Sequence, residues 1–449
     1  MAFRRLRSAA PPLQPAAPKL ATPLNRAFYI ILLAQFLSAL ADNALLFAAI
    51  GLLVFFSAPE WHSPLLQTVF VIAYIVLAPL VGPFADALPK GRVMLIANAV
   101  KFAGCLIMLA GLHPLLAYAI VGIGAAMYSP AKYGILTELL PPEKLVVANS
   151  WMEGTTVAAI VLGAIIGGAL INPELAADLL ASSGMEALLI APKFAIVAIT
   201  SLYLGAALIN LLIPRLPIDH KLPSRSPIYV LHDFWHSFKL LWRDPLGQVS
   251  LAVTTLFWGT GATLRLIVLA WAAVALNYSD SKAILLTVYV AVGIAVGALL
   301  AAKFVKINQA VRVLPVGIAM GLVVLVMIPV TNPALAIALL IVIGLMGGFF
   351  VVPMNALLQH RGHLLMGAGS SIAVQNFNEN LSIFAMLGLY TLLEWQGFSI
   401  YTIITVFGLL LAGIMGILLK THGHDQHLGP DRRDHPRTHA AVSSPQKNS

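Results

Sequence analysis

Five ionisable residues sit where the chain is otherwise apolar. Asp42 lies mid-run in AQFLSALADNALLF and Arg265 mid-run in LFWGTGATLRLIVLA, while Lys132 follows Pro130 in YSPAKYGIL. Glu153 lies in ANSWMEGTT and Glu379 in AVQNFNEN. A guanidinium can give an anion such as a phosphate two parallel donors, an ammonium adds a point charge, and a carboxylate suits a cation. Charges inside apolar spans are costly, so they face a protein interior or a partner. A buried ion pair holding two parts of the molecule together is the competing reading. A mere lock, however, could be replaced by apolar packing at no loss of stability. Lys101 and Lys193 are embedded as well and are weaker candidates, since Lys193 can snorkel to a surface. Pro130 is expected to interrupt its helix and free backbone groups toward a cavity. Gln375, Asn376, Asn378 and Asn380 would be expensive facing lipid, so a cavity lining is expected for them too.

The elements that position these residues follow from composition. Of 449 residues, 59% are apolar, and only 27 are basic and 18 acidic. Soluble domains are about 25% charged, so no water-facing shell can be built here, and a disordered chain would be poor in apolar residues. About 20 apolar residues cross a bilayer. Runs near 27–56, 64–84, 93–112, 115–137, 146–172, 188–214, 248–276, 283–302, 313–331, 333–357, 366–393 and 398–420 therefore predict an all-α integral membrane protein with twelve transmembrane helices. The first run is too long and starts too late for a cleavable signal peptide. A single cysteine, Cys105, excludes an internal disulfide and any CxxC motif.

Lys and Arg are retained on the cytoplasmic side. Outside the spans they cluster in the N-terminal segment, in alternate loops and in the tail, with Lys282 alone on the other side. Both termini are thus expected in the cytoplasm, and the net charge of +9 belongs mostly to that face, with no nucleic-acid partner implied. The expected organisation is an N-terminal extension (1–26), a six-helix bundle (27–214), a linker (215–247), a second six-helix bundle (248–420) and a polar His-rich tail (421–449). In the linker, PIYVLHDFWHSFKLLWRDP suits an amphipathic helix on an anionic leaflet. The tail's irregularly spaced histidines fit a disordered terminus better than a metal site.

Sliding one half over the other aligns Gly124-AAMYS-Pro130-A-Lys132 with Gly347-GFFVV-Pro353-M-Asn355, and lays Asp42 on Arg265. A nearby shift lays Glu153 on Asn378. Many carriers are built from such repeats with the site at their interface, which predicts that Asp42 and Arg265 approach a common midplane. Gly163-AII-Gly167 and Gly293-IAV-Gly297 read as close helix-packing faces. There is no GxxxxGK[ST] loop, no GxSxG elbow, and no histidine followed five positions later by Asp, all of which argues against catalysis. No cofactor or metal is expected.

The segment Gly82-PFA-Asp86-ALPK-Gly91-Arg92 resembles the loop signature of the major facilitator superfamily, where a Gly-xxx-Asp turn followed by Gly-Arg pins helices together on the cytoplasmic side. The resemblance implies two pseudo-symmetric six-helix bundles and a conformational latch at Gly82, Asp86, Gly91 and Arg92. The blocks AQFLSALADNALLF, KGRVMLIAN, GAAMYSPAKYGIL, LFWGTGATLRLIVLAW, GGFFVVPMNALLQ and AVQNFNEN together resemble the lysophospholipid transporter family of Gram-negative inner membranes, over about 28–420.

That resemblance implies a flippase carrying lysophospholipids, chiefly lysophosphatidylethanolamine, from the outer to the inner leaflet by alternating access. A separate cytoplasmic acyltransferase/acyl-carrier-protein synthetase would then reacylate them as part of phospholipid remodelling. It also implies substrate-binding roles for Asp42, Lys132, Glu153, Arg265 and Glu379, to which the cavity reading adds Asn378. Arg265 and Lys132 would meet the phosphate, Asp42 or Glu153 the ammonium, and the single acyl chain would leave sideways toward lipid. Two alternatives stay open: a proton-coupled exporter of amphipathic drugs using the same carboxylates, and a non-transporting scaffold for the acyltransferase.

Overall fold

The computed structural model describes residues 24–59, 61–172, 190–216 and 227–423, with helical positions between 174 and 182. The extension and the His-rich tail fall almost wholly outside the described residues. Six helices form the first half: α1 (Arg26–Phe55), α2 (His62–Ala87), α3 (Lys90–Leu109), α4 (Pro114–Leu139), α5 (Leu145–Ile171) and α6 (Ala191–Asn210). The linker helix α7 spans Pro227–Arg243. The second half comprises α8 (Pro245–Ala275), α9 (Asp280–Phe304), α10 (Leu314–Leu325), α11 (Pro333–Met366), α12 (Ala368–Trp395) and α13 (Ile400–His422).

Helix starts are set by short polar side chains that accept from otherwise unpaired backbone amides. Asn25 accepts from Phe28 N at 2.9 Å, Asp244 from Gly247 N at 2.8 Å, and Asn332 from Ala334 N at 2.9 Å. Prolines 79, 83, 130 and 353 all lie inside helices. The expected interruption at Pro130 is therefore corrected: α4 runs through it, as neighbouring helices allow inside a bundle.

Among the described residues, eleven helices are long and apolar enough to cross a membrane. The twelfth, α12, falls short because its first half carries Gln375, Asn376, Asn378 and Glu379, all buried within the protein. The chain is a multi-pass membrane protein of two six-helix halves, as the hydropathy pattern predicts.

Within each half, glycines set the closest crossings. A Cβ on Gly163 would come within 2.9 Å of Leu40 O, and one on Gly167 within 2.7 Å of Ala44 O, so α5 packs directly on the α1 backbone. Gly293 and Gly297 of α9 face Gly344 and Gly348 of α11, where an added Cβ would strike backbone carbonyls from either side. These are the small-residue faces read in the sequence.

The halves meet along α2 with α12 and α5 with α9. Their shared apolar core joins Leu136, Leu145, Val146 and Met152 of the first half to Phe350, Val351 and Met354 of the second. This seam lies at the end where α1 begins and α2 and α4 finish, here termed the basic end. At the far end, the cluster of Leu45, Leu52, Leu66, Met108 and Ile196 contains first-half residues only.

The linker forms a helix as expected, but it rests on the protein. Val230, Phe234 and Leu241 are buried, with the Phe234 ring 5.5 Å from that of Phe377 in α12. Ile228, Leu231 and Trp235 are exposed beside His232, His236, Lys239 and Arg243.

Gly297→Leu should overpack the α9–α11 crossing and lower stability by roughly 1–3 kcal/mol. Gly168→Leu, whose Cβ meets nothing within 4 Å, should leave it unchanged. Melting temperatures of the two purified variants check this, and equal melting would refute the crossing.

Candidate functional site

Asp42 does not reach Arg265. Its Oδ2 accepts from Lys101 Nζ of α3 at 2.7 Å, and its Oδ1 accepts from the Tyr203 hydroxyl of α6 at 2.7 Å. Lys101 is 1% exposed and also donates to Ser38 Oγ at 3.0 Å, which in turn donates to Asn98 Oδ1 at 2.8 Å. Tyr128 lies under the ammonium, 4.8 Å from Nζ to the ring centroid. Gly124 lets α4 cross this spot, since a Cβ there would press on Lys101 Cγ and Ala97 O. Asp42 is thus answered inside its own half by a lysine that ranked low on sequence, and among the described residues no ion pair joins it to Arg265. The signal for Lys101 was its place in the apolar run KFAGCLIML, since an embedded cation needs a nearby acid.

Arg265 is exposed on α8, and its side chain has no ion pair or hydrogen bond among the described residues. A guanidinium at mid-helix in an apolar span that is exposed and unanswered faces an aqueous cleft more readily than lipid. Lys132 is half-buried on α4, with Nζ 4.3 Å from the Tyr133 ring centroid. Among the described residues it makes no direct ion pair, but it lies within electrostatic reach of Glu153, Lys101, Asp42 and Glu379. Glu153 is buried on α5 with Lys132 as its charged neighbour. Glu379 of α12 accepts from Gln375 Nε2 at 2.7 Å, and the same amide nitrogen donates to Asn355 Oδ1 of α11 at 2.8 Å. Lys132, Glu153 and Glu379 therefore share one polar cluster to which both halves contribute.

Asn378 departs from the cavity reading. Its Oδ1 accepts from Trp242 Nε1 of the linker helix at 3.3 Å, so it anchors α7. Lys193 lies in the first turn of α6 at the far end, where snorkelling is open to it.

The basic-end seam is polar as well as apolar. Gly82 and Asp86 lie inside α2, and only Leu88 and Pro89 separate α2 from α3. Asp86 Oδ1 accepts from Gly369 N at 2.7 Å, and Oδ2 accepts from Ser370 N at 2.8 Å and Ser370 Oγ at 2.9 Å. A first-half carboxylate thus caps a second-half helix, where the free amides and helix dipole favour negative charge. Lys90 Nζ sits 2.7 Å from Asp86 Oδ1 and 3.2 Å from Glu138 Oε1. Gly82 makes room, since its Cβ would lie 2.9 Å from Ser370 Cα. Between α11 and α12 stands only Gly367, at φ +101°, a turn that suits glycine. Gly91 packs on Ile213. The Arg92 side chain is exposed and makes no hydrogen bond or ion pair among the described residues, so it adds nothing to the seam seen here.

Two further inter-half contacts escaped the sequence reading. Asn149 and Gln359 exchange amide hydrogen bonds at 2.9 and 2.8 Å between α5 and α11, and Asn376 Nδ2 donates to Ser129 Oγ at 2.9 Å between α12 and α4. Arg361, counted as a loop cation, is buried and pairs with Asp244, the cap of α8. Among the described residues no cluster of His, Cys, Asp or Glu is arranged to hold a metal ion.

The Major Facilitator Superfamily model matches residues 31–386. A lysophospholipid transporter LplT from Serratia proteamaculans is 45% identical over 381 residues, which is 85% of this chain and 92% of that protein. One from Yersinia pestis is 46% identical over 375 residues, 83% and 88% of the two chains. In fold, the chain is similar to the superfamily transporter FucP in its outward conformation (TM-score 0.68, 14% identity, 88% of this chain and 98% of that one). It is also similar to a bacterial homologue of the iron transporter ferroportin in an outward-facing state (TM-score 0.67, 16% identity, 89% and 100%). Similarity at this level over nearly the whole length places the chain in the major facilitator superfamily and, within it, in the lysophospholipid transporter family.

Proposed function

We propose that the chain carries lysophospholipids, chiefly lysophosphatidylethanolamine, from the outer to the inner leaflet of a Gram-negative inner membrane by alternating access. The observation that carries this reading is the division of the embedded charges. Asp42, Lys101, Asp86, Lys90, Asp244 and Arg361 are paired within the protein. Among the described residues Lys132 and Arg265 hold no direct ion pair, and Glu153 meets its cation only at a distance. Two free cations suit a phosphate and a free carboxylate suits an ammonium, which together describe a lysophosphatidylethanolamine head. The relatives named lysophospholipid transporters support the same substrate class.

Both termini lie in the cytoplasm on this reading, which the basic residues of one end support. The product is passed to a cytoplasmic acyltransferase/acyl-carrier-protein synthetase, and the chain itself performs no catalytic step. The exposed face of α7, with Trp235 above Lys239 and Arg243, lies toward the anionic leaflet. Glu379 with its Gln375 partner forms the second-half wall of the head-group site. Asp42 and Lys101 hold α1, α3 and α6 in place behind it, and Asp86 latches the basic end until the far-side cleft has loaded.

Three outcomes test this. Lys132→Ala and Arg265→Ala should insert and melt normally yet flip lysophosphatidylethanolamine in vesicles at least tenfold more slowly, each loss exceeding about 1.4 kcal/mol. Near wild-type flipping by both would sink the site assignment. Asp42→Ala leaves Lys101 as a buried unpaired charge, at a cost of about 3–5 kcal/mol, whereas Asp42→Leu combined with Lys101→Met should regain most of that stability. Chemical denaturation measures the difference, and a double variant as unstable as the single would contradict a framing role. Asp86→Ala removes the cap of α12 and should weaken basic-end closure by about 1–3 kcal/mol. Cross-linking between cysteines placed at positions 149 and 359, whose side chains meet across the same seam, should then fall, while an unchanged yield would refute the latch.

A further inference from the structure

The second half holds an apolar cavity that the head-group site does not use. It leaves about 90 Å³ of room between α8, α9, α10, α11 and α13, bounded by Phe257, Leu264, Ile294, Met320 and Phe407, with Gly261 at its edge. Thr260 is the only hydroxyl in the lining, and its oxygen is already bonded to Leu256 O at 2.7 Å. Nothing in the lining could orient a polar ligand. Gly261 and Arg265 stand one turn apart on the same face of α8, both are exposed, and a helical side chain leans back toward the preceding turn. The unpaired guanidinium therefore overhangs the edge formed by Gly261. In the opposite half, the corresponding interior is filled by Asp42, Lys101 and Tyr203.

We propose that this cavity receives the single acyl chain of the lysophospholipid, so that the carrier encloses the tail in its second half while the head lies across the polar cluster. The inference rests on the function proposed above and replaces the expected sideways exit of the tail into lipid. Three observations choose an acyl chain as the occupant: the almost wholly apolar lining, the free cation at the rim where a phosphate would sit, and the polar cluster shared by the two halves. Each methylene held in the cavity avoids exposure in a water-filled cleft, so affinity should rise with chain length until the space is full.

Gly261 supplies the test, because its Cβ direction meets nothing within 4 Å and a larger side chain there fills space without striking the backbone. Binding of decanoyl and octadecanoyl lysophosphatidylethanolamine is measured with the full chain in nanodiscs, and flipping of both is measured in vesicles. The wild type should bind the octadecanoyl lipid more tightly. Gly261→Leu should cut that advantage about tenfold, with decanoyl binding within about twofold of wild type. Gly168→Leu, which also projects into open space but lies in the first half, should keep the wild-type ratio. Leu264→Asn, which places an amide in the lining, should also lower the long-chain advantage. An unchanged chain-length ratio in folded Gly261→Leu and Leu264→Asn would overturn the proposal. The arms separate the two readings: binding that tracks chain length as described, without flipping by the wild type, would uphold the cavity and refute the transport function alone.

Discussion

A charge placed where water cannot follow must be answered by the protein or by what the protein carries. Asp42 is answered twice, by Lys101 and by Tyr203, and Lys101 is answered in turn by Asp42 and Ser38. With these satisfied, α1, α3 and α6 are fixed against one another, and Gly124 lets α4 close over the stem of Lys101. Lys132 then stands on a framed wall, beside Glu153 but not bonded to it. The rigidity of the pair is what allows the neighbouring charges to stay unpaired without the half collapsing onto them.

The seam between the halves is built differently, from contacts that can part. Asp86 caps α12, Ser129 meets Asn376, and Asn149 exchanges bonds with Gln359. Neutral amide and cap contacts contribute about 1 kcal/mol each, net of water, so a modest force opens them and water can satisfy them once open. A buried inter-half ion pair would have held the seam far more stubbornly. This explains why α12 is too polar to count as a span by hydropathy. Its first half forms the surface on which the halves engage and separate.

Much of the architecture was legible in the residues. Twelve apolar runs, alternating basic loops and the two small-residue faces gave the helices and their closest crossings, because span length and backbone approach are local properties. Pair choices were not local. The shift that lays Asp42 on Arg265 also lays Lys101 on Val324, so the second half has no counterpart of the cation that answers Asp42. A match at one position hid a mismatch at its partner, so symmetry alone did not show which cation answers Asp42. Asn378 misled for a related reason: its polarity is spent on Trp242 of a helix outside both halves. Arg361 looked like a loop cation because α11 continues through a polar stretch that hydropathy ends early.

The same mismatch explains what the two halves have become. Val324 lines the apolar cavity at the position where the first half carries Lys101. Gly347, which the repeat aligns with Gly124, lies 3.1 Å by its Cβ direction from a ring carbon of Phe257, where Gly124 meets the Lys101 stem. One set of equivalent positions is thus polar and cross-linked in the first half, and apolar and open in the second. A carrier of a small polar solute has no need for such a division. An amphiphile does, because its head and tail require opposite surroundings within one molecule's length, and a duplicated fold supplies two interiors that can diverge in opposite directions.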